Sequence, residues 1–285
     1  MNKRIRFFLI AAAALLAIGC ATAPKPAPVV EPAVPLPEAE YQQAQELRAL
    51  IQKYGLDQYA PEAFQAAEAR FQEGEKAYRK DNALAKTALS EAVRGYQKVI
   101  DTGFPQAVAA SQRQADDAKS EAEELGAPVA NPRDYQAALD TYEQAVKARD
   151  AKEYENSLQL FAKAKDQFES SAGLAKQKKD RAEQAYRDAK AAKEEADRLK
   201  AAVAVKAAYA AALDAFNQGL KAREDKDYDR SLELMQKAQS QFTAAAQTAR
   251  QKKAAAEKAM ADSEAEIKTA EQQAAEADKI LAGGE

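Results

Sequence analysis

An all-α fold is predicted, built of tandem helical hairpins that pack as three-helix bundles linked by long helices. Three observations carry the prediction. Much of the 46% hydrophobic fraction is alanine, the best helix former, and only ten Gly and ten Pro interrupt the 285 residues. From Tyr41 onward, apolar residues recur at steps of three and four. A block is also written twice at an offset of 74: half of the positions from 135 to 188 recur, without a gap, at 209 to 262.

Residues 1–19 read as a signal peptide. Lys3, Arg4 and Arg6 precede an apolar run from Phe7 to Ile18, which is too short to span a bilayer as a helix. Ala17-Ile18-Gly19-Cys20 resembles the lipobox of bacterial lipoproteins. That resemblance implies cleavage between Gly19 and Cys20 and acylation of the Cys20 thiol, palmitate included. Cys20 is the only cysteine, so it has no intramolecular disulfide partner. Two or more acyl chains hold a protein stably on a membrane. Ala21 stands where Asp often retains enteric lipoproteins in the inner membrane, which implies an outer-membrane, periplasmic or surface-facing location.

Residues 20–40 form the tether. Prolines 24, 26, 28, 32, 35 and 37 favour an extended spacer reaching roughly 60 Å at about 3.1 Å per residue. The expected helical units follow as bundle 1 over 41–105, repeat 2 over 106–175, repeat 3 over 176–250, and a C-terminal helix and tail over 251–285. Breaks are expected at Gly55 to Pro61, Asp81-Asn82, Thr102 to Pro105 and Gly126 to Pro132, where Gly, Pro, Asp and Asn cluster.

Within the repeated unit, Tyr135, Ala138, Leu139, Tyr142 and Ala145 share one face of a short helix. Tyr154, Ser157, Phe161, Ala164, Phe168, Ser171 and Ala175 form the seam of a longer helix of about 45 residues. Tyr228, Met235 and Phe242 stand at the positions of Tyr154, Phe161 and Phe168 in the second copy. The phrases "ARDAKEY" and "AREDKDY" mark the turn between the two helices, with a weaker third version at "RKDNALAK". Linking long helices of this kind are the arrangement of spectrin-like arrays. The third bundle requires a break within "LKAAVAVK" at 199–206, where the counterpart "LGAPVANP" at 125–132 carries three breakers and this stretch carries none. Beyond Lys252, Ala256, Ala259, Ser263, Ile267, Ala270, Ala274, Ala277 and Leu281 keep near-heptad spacing. They form either a frayed helix or an oligomer seam; fraying is preferred because an Ala-rich seam buries little area.

Two resemblances bear on function. Glu153-Tyr154-Glu155 followed by Ser157, Phe161 and Ala164 resembles the inner part of a tetratricopeptide unit, although the offset of 74 departs from that motif's period of about 34 residues. Lys152 and Lys226 replace its usual glycine. The stretch "AVRGYQKVIDTGF", with Ala92, Tyr96, Val99, Gly103 and Phe104, follows the amphipathic "AEARFQEGEKAY". Together they resemble spirochaetal lipoproteins of the treponemal membrane protein A type, which implies an envelope lipoprotein without known catalytic residues.

The chain has no His, which excludes Ser/His/Asp and Cys/His catalysis and His-ligated metals. The 45 carboxylates intermix with Lys and Arg at helix-surface spacing, so no catalytic residue, metal ligand or cofactor site is expected. Loss of the signal's three basic residues leaves 39 basic against 45 acidic side chains, which disfavours nucleic acid as a partner. The expectation is a non-enzymatic lipoprotein scaffold contacting envelope proteins. The alternative is a tetratricopeptide-like lipoprotein that binds a peptide or a transporter component, with Tyr142, Tyr186 and Phe216 as candidate partner-binding residues, although core packing is the preferred reading of these three aromatics. The basic clusters at Lys176, Lys178, Lys179 and Arg181, and at Arg250, Lys252 and Lys253, are expected to be solvated faces.

Overall fold

The computed structural model describes residues 34–283, and among them there are nine α-helices and no strand. They are α1 (Glu38–Tyr54), α2 (Pro61–Ala77), α3 (Asn82–Glu124), α4 (Ala127–Ala130), α5 (Pro132–Asp150), α6 (Tyr154–Arg198), α7 (Ala201–Ala204), α8 (Lys206–Glu224) and α9 (Tyr228–Ala282). A 3-10 turn, Leu56–Tyr59, joins α1 to α2. No described helix is long and apolar enough to cross a membrane.

The long helices α3, α6 and α9 run parallel and staggered, and α3 and α6 each serve two bundles. The first bundle is α1, α2 and the first half of α3, around Ile51, Phe71, Leu89 and Tyr96. The second half of α3, with α5 and the first half of α6, encloses Ala138, Phe161 and Phe168. The rest of α6, with α8 and the first part of α9, encloses Phe216, Met235 and Phe242. Small residues let the helices close in. Ser157 Oγ donates to the Ala145 carbonyl at 2.9 Å, and its repeat counterpart Ser231 donates to the Gly219 carbonyl at 3.0 Å. Both serines are fully buried.

Helix α1 starts at Glu38, inside the segment expected to be tether. The residues just before it are tied to the first bundle: Pro37 is buried, and Asn82 Nδ2 donates to the Val34 carbonyl at 2.9 Å.

Helices α5 and α8 end in the same way. Lys152 N–H bonds the Arg149 carbonyl and Glu153 N–H bonds that of Ala148; Lys226 and Asp227 repeat this with Arg223 and Ala222. This is a Schellman ending, which needs a left-handed residue. Lysine supplies it, at φ 61° for Lys152 and 59° for Lys226. The next helix is capped as the side-chain lengths allow: Asp227 accepts from the Arg230 amide, whereas Glu153 makes no cap bond.

The break within "LKAAVAVK" forms without any Gly or Pro. Lys200 takes φ 55° at the position where Gly126 takes 81°, and α7 matches α4. The expected break at Thr102 to Pro105 is corrected: α3 runs through it. Gly103 marks a close approach rather than a turn, since a Cβ there would stand 2.8 Å from Leu56 Cβ. Phe104 is buried, and exposed Pro105, having no N–H, leaves the carbonyl of exposed Asp101 without its usual helical donor. Beyond Lys252, where the sequence favours fraying over an oligomer seam, α9 continues to Ala282 through a run of strong helix formers.

Candidate interaction surface

Gly19 and Cys20, the cleavage and lipidation residues, lie outside the described residues, as does the signal peptide. The six turn and seam residues lie in the bundle cores or at their junctions. Phe161, Phe168, Met235 and Phe242 are fully buried, Tyr228 nearly so, and half-buried Tyr154 stacks on Phe104 of the first bundle.

The three candidate partner-binding aromatics each pack against another ring. The Tyr142 ring meets Phe161 edge-on, and its hydroxyl donates to Asp116. Tyr186 lies between Phe216 and the Arg223 guanidinium, 4.3 Å above its ring, and Phe216 is buried against Phe242. Phe216 is thus buried, and Tyr142 and Tyr186 are half-buried beside other rings.

Hydroxyl-to-carboxylate pairs recur with the repeat. Tyr135 donates to Glu123, and Tyr209 donates to Asp197 at the equivalent positions of the next copy; Tyr96 donates to Glu68. Burial and then the carboxylate partner push the phenols of Tyr96, Tyr135 and Tyr209 above their ordinary range. For Glu68, burial alone would raise the carboxyl, but hydrogen bonds from Arg48 and Tyr96 outweigh it and hold the group low. Asp197 is held low in the same way by Lys193 and Tyr209.

Two members of the basic clusters are structural ties rather than a free face. Lys178 Nζ donates to the Ala130 carbonyl and to Asp229, both at 2.6 Å, and Lys252 Nζ donates to the Ala204 carbonyl at 2.8 Å. Arg250 pairs with Glu195 at 2.8 Å.

These ties belong to the junctions where one bundle hands over to the next. At the second junction Tyr228 is buried in the cluster that holds Leu125, Ala130, Ala175 and Ala182. Asp229 meets Lys178 there, and Lys226 Nζ reaches the Glu123 and Glu124 carbonyls at 3.0 and 2.9 Å. At the first junction Tyr154 stacks on Phe104, and Glu155 accepts from Tyr54 at 2.7 Å. Each junction thus uses an aromatic and a carboxylate at the start of a long helix, seated on the end of the bundle before it.

The end of the third bundle repeats the receiving half. Leu199, Ala204, Ala249 and Lys252 are the repeat counterparts of Leu125, Ala130, Ala175 and Lys178, and here they line a pocket of about 490 Å³. Arg198, Lys200 and Lys253 complete its wall. Beyond it, every side chain that the structure describes from Gln251 to Ala282 is exposed, including Met260, Ile267 and Leu281. Ala256, Ala259, Ser263 and Ala270 on this overhang are the counterparts of Ala182, Ala185, Ala189 and Ala196, which are buried on α6. Glu257, Glu264, Glu271 and Asp278 recur at every seventh position and each follows a seam position. Sequence reasoning found the overhang but missed the pocket, although mapping the surroundings of Tyr228 forward by one repeat would have located it. Scanned against protein-family models, curated proteins and solved structures, the chain matches none of them.

Proposed function

We propose that this chain is a non-catalytic lipoprotein of the bacterial envelope, anchored through acylated Cys20, whose helical body is an elongated scaffold holding other proteins away from the membrane. The observation that supports this reading is the parallel stagger of α3, α6 and α9. Helix α3 rises from Asn82 to the level of Tyr154, α6 from there to the level of Tyr228, and α9 onward to Ala282. With a rise of about 1.5 Å per residue, the three stretches sum to roughly 150 Å. Such a shape spends its residues on reach rather than on an enclosed site. The lipobox-like residues and the Pro-rich segment put an anchor and a spacer before the first bundle, in keeping with an outer-membrane location.

The reading is tested by labelling cells with an alkyne analogue of palmitate and fractionating them. Wild-type protein is expected to carry the label, to sediment with membranes and to begin at Cys20; Cys20→Ala is expected to lose the label and to keep residues 1–19, with their apolar run. A Cys20→Ala protein that still carries the label, or a wild type that does not, overturns the anchor. Small-angle scattering from a soluble form starting after Cys20 tests the scaffold, which a maximum dimension below about 80 Å, roughly half the summed rise of the three stretches, would exclude.

A further inference from the structure

We infer that the pocket at the end of the third bundle, together with the α9 overhang, is the receiving half of a bundle junction. Its occupant is a helix from another protein that starts with an aromatic residue and a carboxylate and carries basic residues farther along. The inference does not depend on whether Cys20 is acylated.

The first argument is continuity with interfaces already present in the chain. Helix α9 packs along α6 more extensively than any other pair of described helices. It does so over the residues whose counterparts lie bare on the overhang: Ala182, Ala185, Ala189 and Ala196 are buried, and Ala256, Ala259, Ser263 and Ala270 are exposed. The pocket lies at the root of that face, where the repeat places an aromatic residue like Tyr228.

Charge then sets the chemistry of the occupant. Arg198, Lys200, Lys252 and Lys253 ring the pocket, whereas the corresponding residues of the second bundle are Glu124, Gly126, Lys178 and Lys179. This seat is the more cationic of the two, and it suits a carboxylate in a helix's first turn. Along the overhang the sign reverses. Glu183 on α6 is met by Arg223 of α8 at 3.2 Å; its counterpart Glu257 opens the acidic row that continues through Glu264, Glu271 and Asp278. Basic residues on the incoming helix answer that row.

The same row argues against a second copy of this chain. Two overhangs paired antiparallel would set their acidic rows against each other, at the positions that govern partner choice in paired helices. Nor does the chain's own turn fit without change. Gly126 lets the Lys226 side chain close in so far that a Cβ at Gly126 would stand only 2.7 Å from it, and at that position the pocket carries Lys200. The occupant's residue two before its aromatic is therefore small.

The test uses the full chain and, as a probe, a fluorescent peptide of residues 227–250, which carries Tyr228, Asp229 and the α9 seam but omits Lys226. Anisotropy is expected to show saturable one-to-one binding. Binding is expected to weaken tenfold or more when the peptide carries Tyr228→Ala or Asp229→Lys, and when the full chain carries Ala259→Glu with Ser263→Glu. Those two side chains are exposed, so the paired substitutions are expected to leave the melting temperature unchanged, which separates a lost face from a lost fold. Absence of saturable binding overturns the inference, as does binding indifferent to the Ala259/Ser263 pair. Dimerisation of the chain alone that the same pair abolishes also overturns it, in favour of a second copy.

Discussion

At the scale of the residue, four non-glycine positions among the described residues hold positive φ: Arg79, Lys152, Lys200 and Lys226. All are cations just past a helix C-terminus, where the dipole favours positive charge by about 0.3–1 kcal/mol, against a left-handed cost of about 1–2 kcal/mol. Lys152 is exposed, so Lys152→Gly should stabilise the chain by about 0.5–1 kcal/mol, read as a higher denaturation midpoint. Lys226→Gly should not, because its ammonium caps the end of α3 and its stem covers Gly126. A matching gain at both positions would show that the Lys226 bonds contribute nothing. The sequence marked these turns by their repetition, but a lysine gives no sign that it stands in for glycine.

The element scale shows why some boundaries were legible and others were not. Gly126 and Pro132 break the chain and were read so, whereas Gly103 and Pro105 sit inside α3. Glycine serves turns and close approaches alike, and only the partner, here Leu56, tells them apart. Proline in a helix costs about 3 kcal/mol relative to Ala in host helices. Pro105 is exposed, so replacing it fills no cavity and removes no packing. Pro105→Ala should therefore raise stability by about 1–3 kcal/mol in urea denaturation. A loss of stability would mean that the helices depend on the backbone geometry Pro105 imposes. The break at Lys200 was legible only through its kinship to Gly126, since local composition favours continuous helix. The aromatic seam, by contrast, was plain from spacing, because Phe161, Phe168 and Phe242 must be buried wherever the helices turn.

For the whole molecule, the absence of histidine leaves no imidazole in these bundles to titrate near neutrality. Glu68 and Asp197 are held below their ordinary range, so the fold favours their ionised forms. Their contribution is complete above the unfolded value of about 4 and is lost as pH falls through the lower folded value. The phenols of Tyr96, Tyr135 and Tyr209 are raised, so the fold favours their protonated forms. That contribution is complete below about pH 10 and is lost as pH rises toward their folded values. The melting temperature should be flat from about pH 5 to 9 and fall on both sides, with Glu68→Gln losing part of the acid limb. A maximum confined near pH 7 would contradict this.

The parallel stagger also bears on how such a molecule changes over generations. Each handover contacts only the bundle before it, so one whole repeat can be gained or lost between two junctions without altering the others. One copy advances the array by roughly 40 Å, the rise of α6 between the levels of Tyr154 and Tyr228. Reach is then counted in copies rather than tuned residue by residue, and gene duplication becomes a ruler with a fixed step.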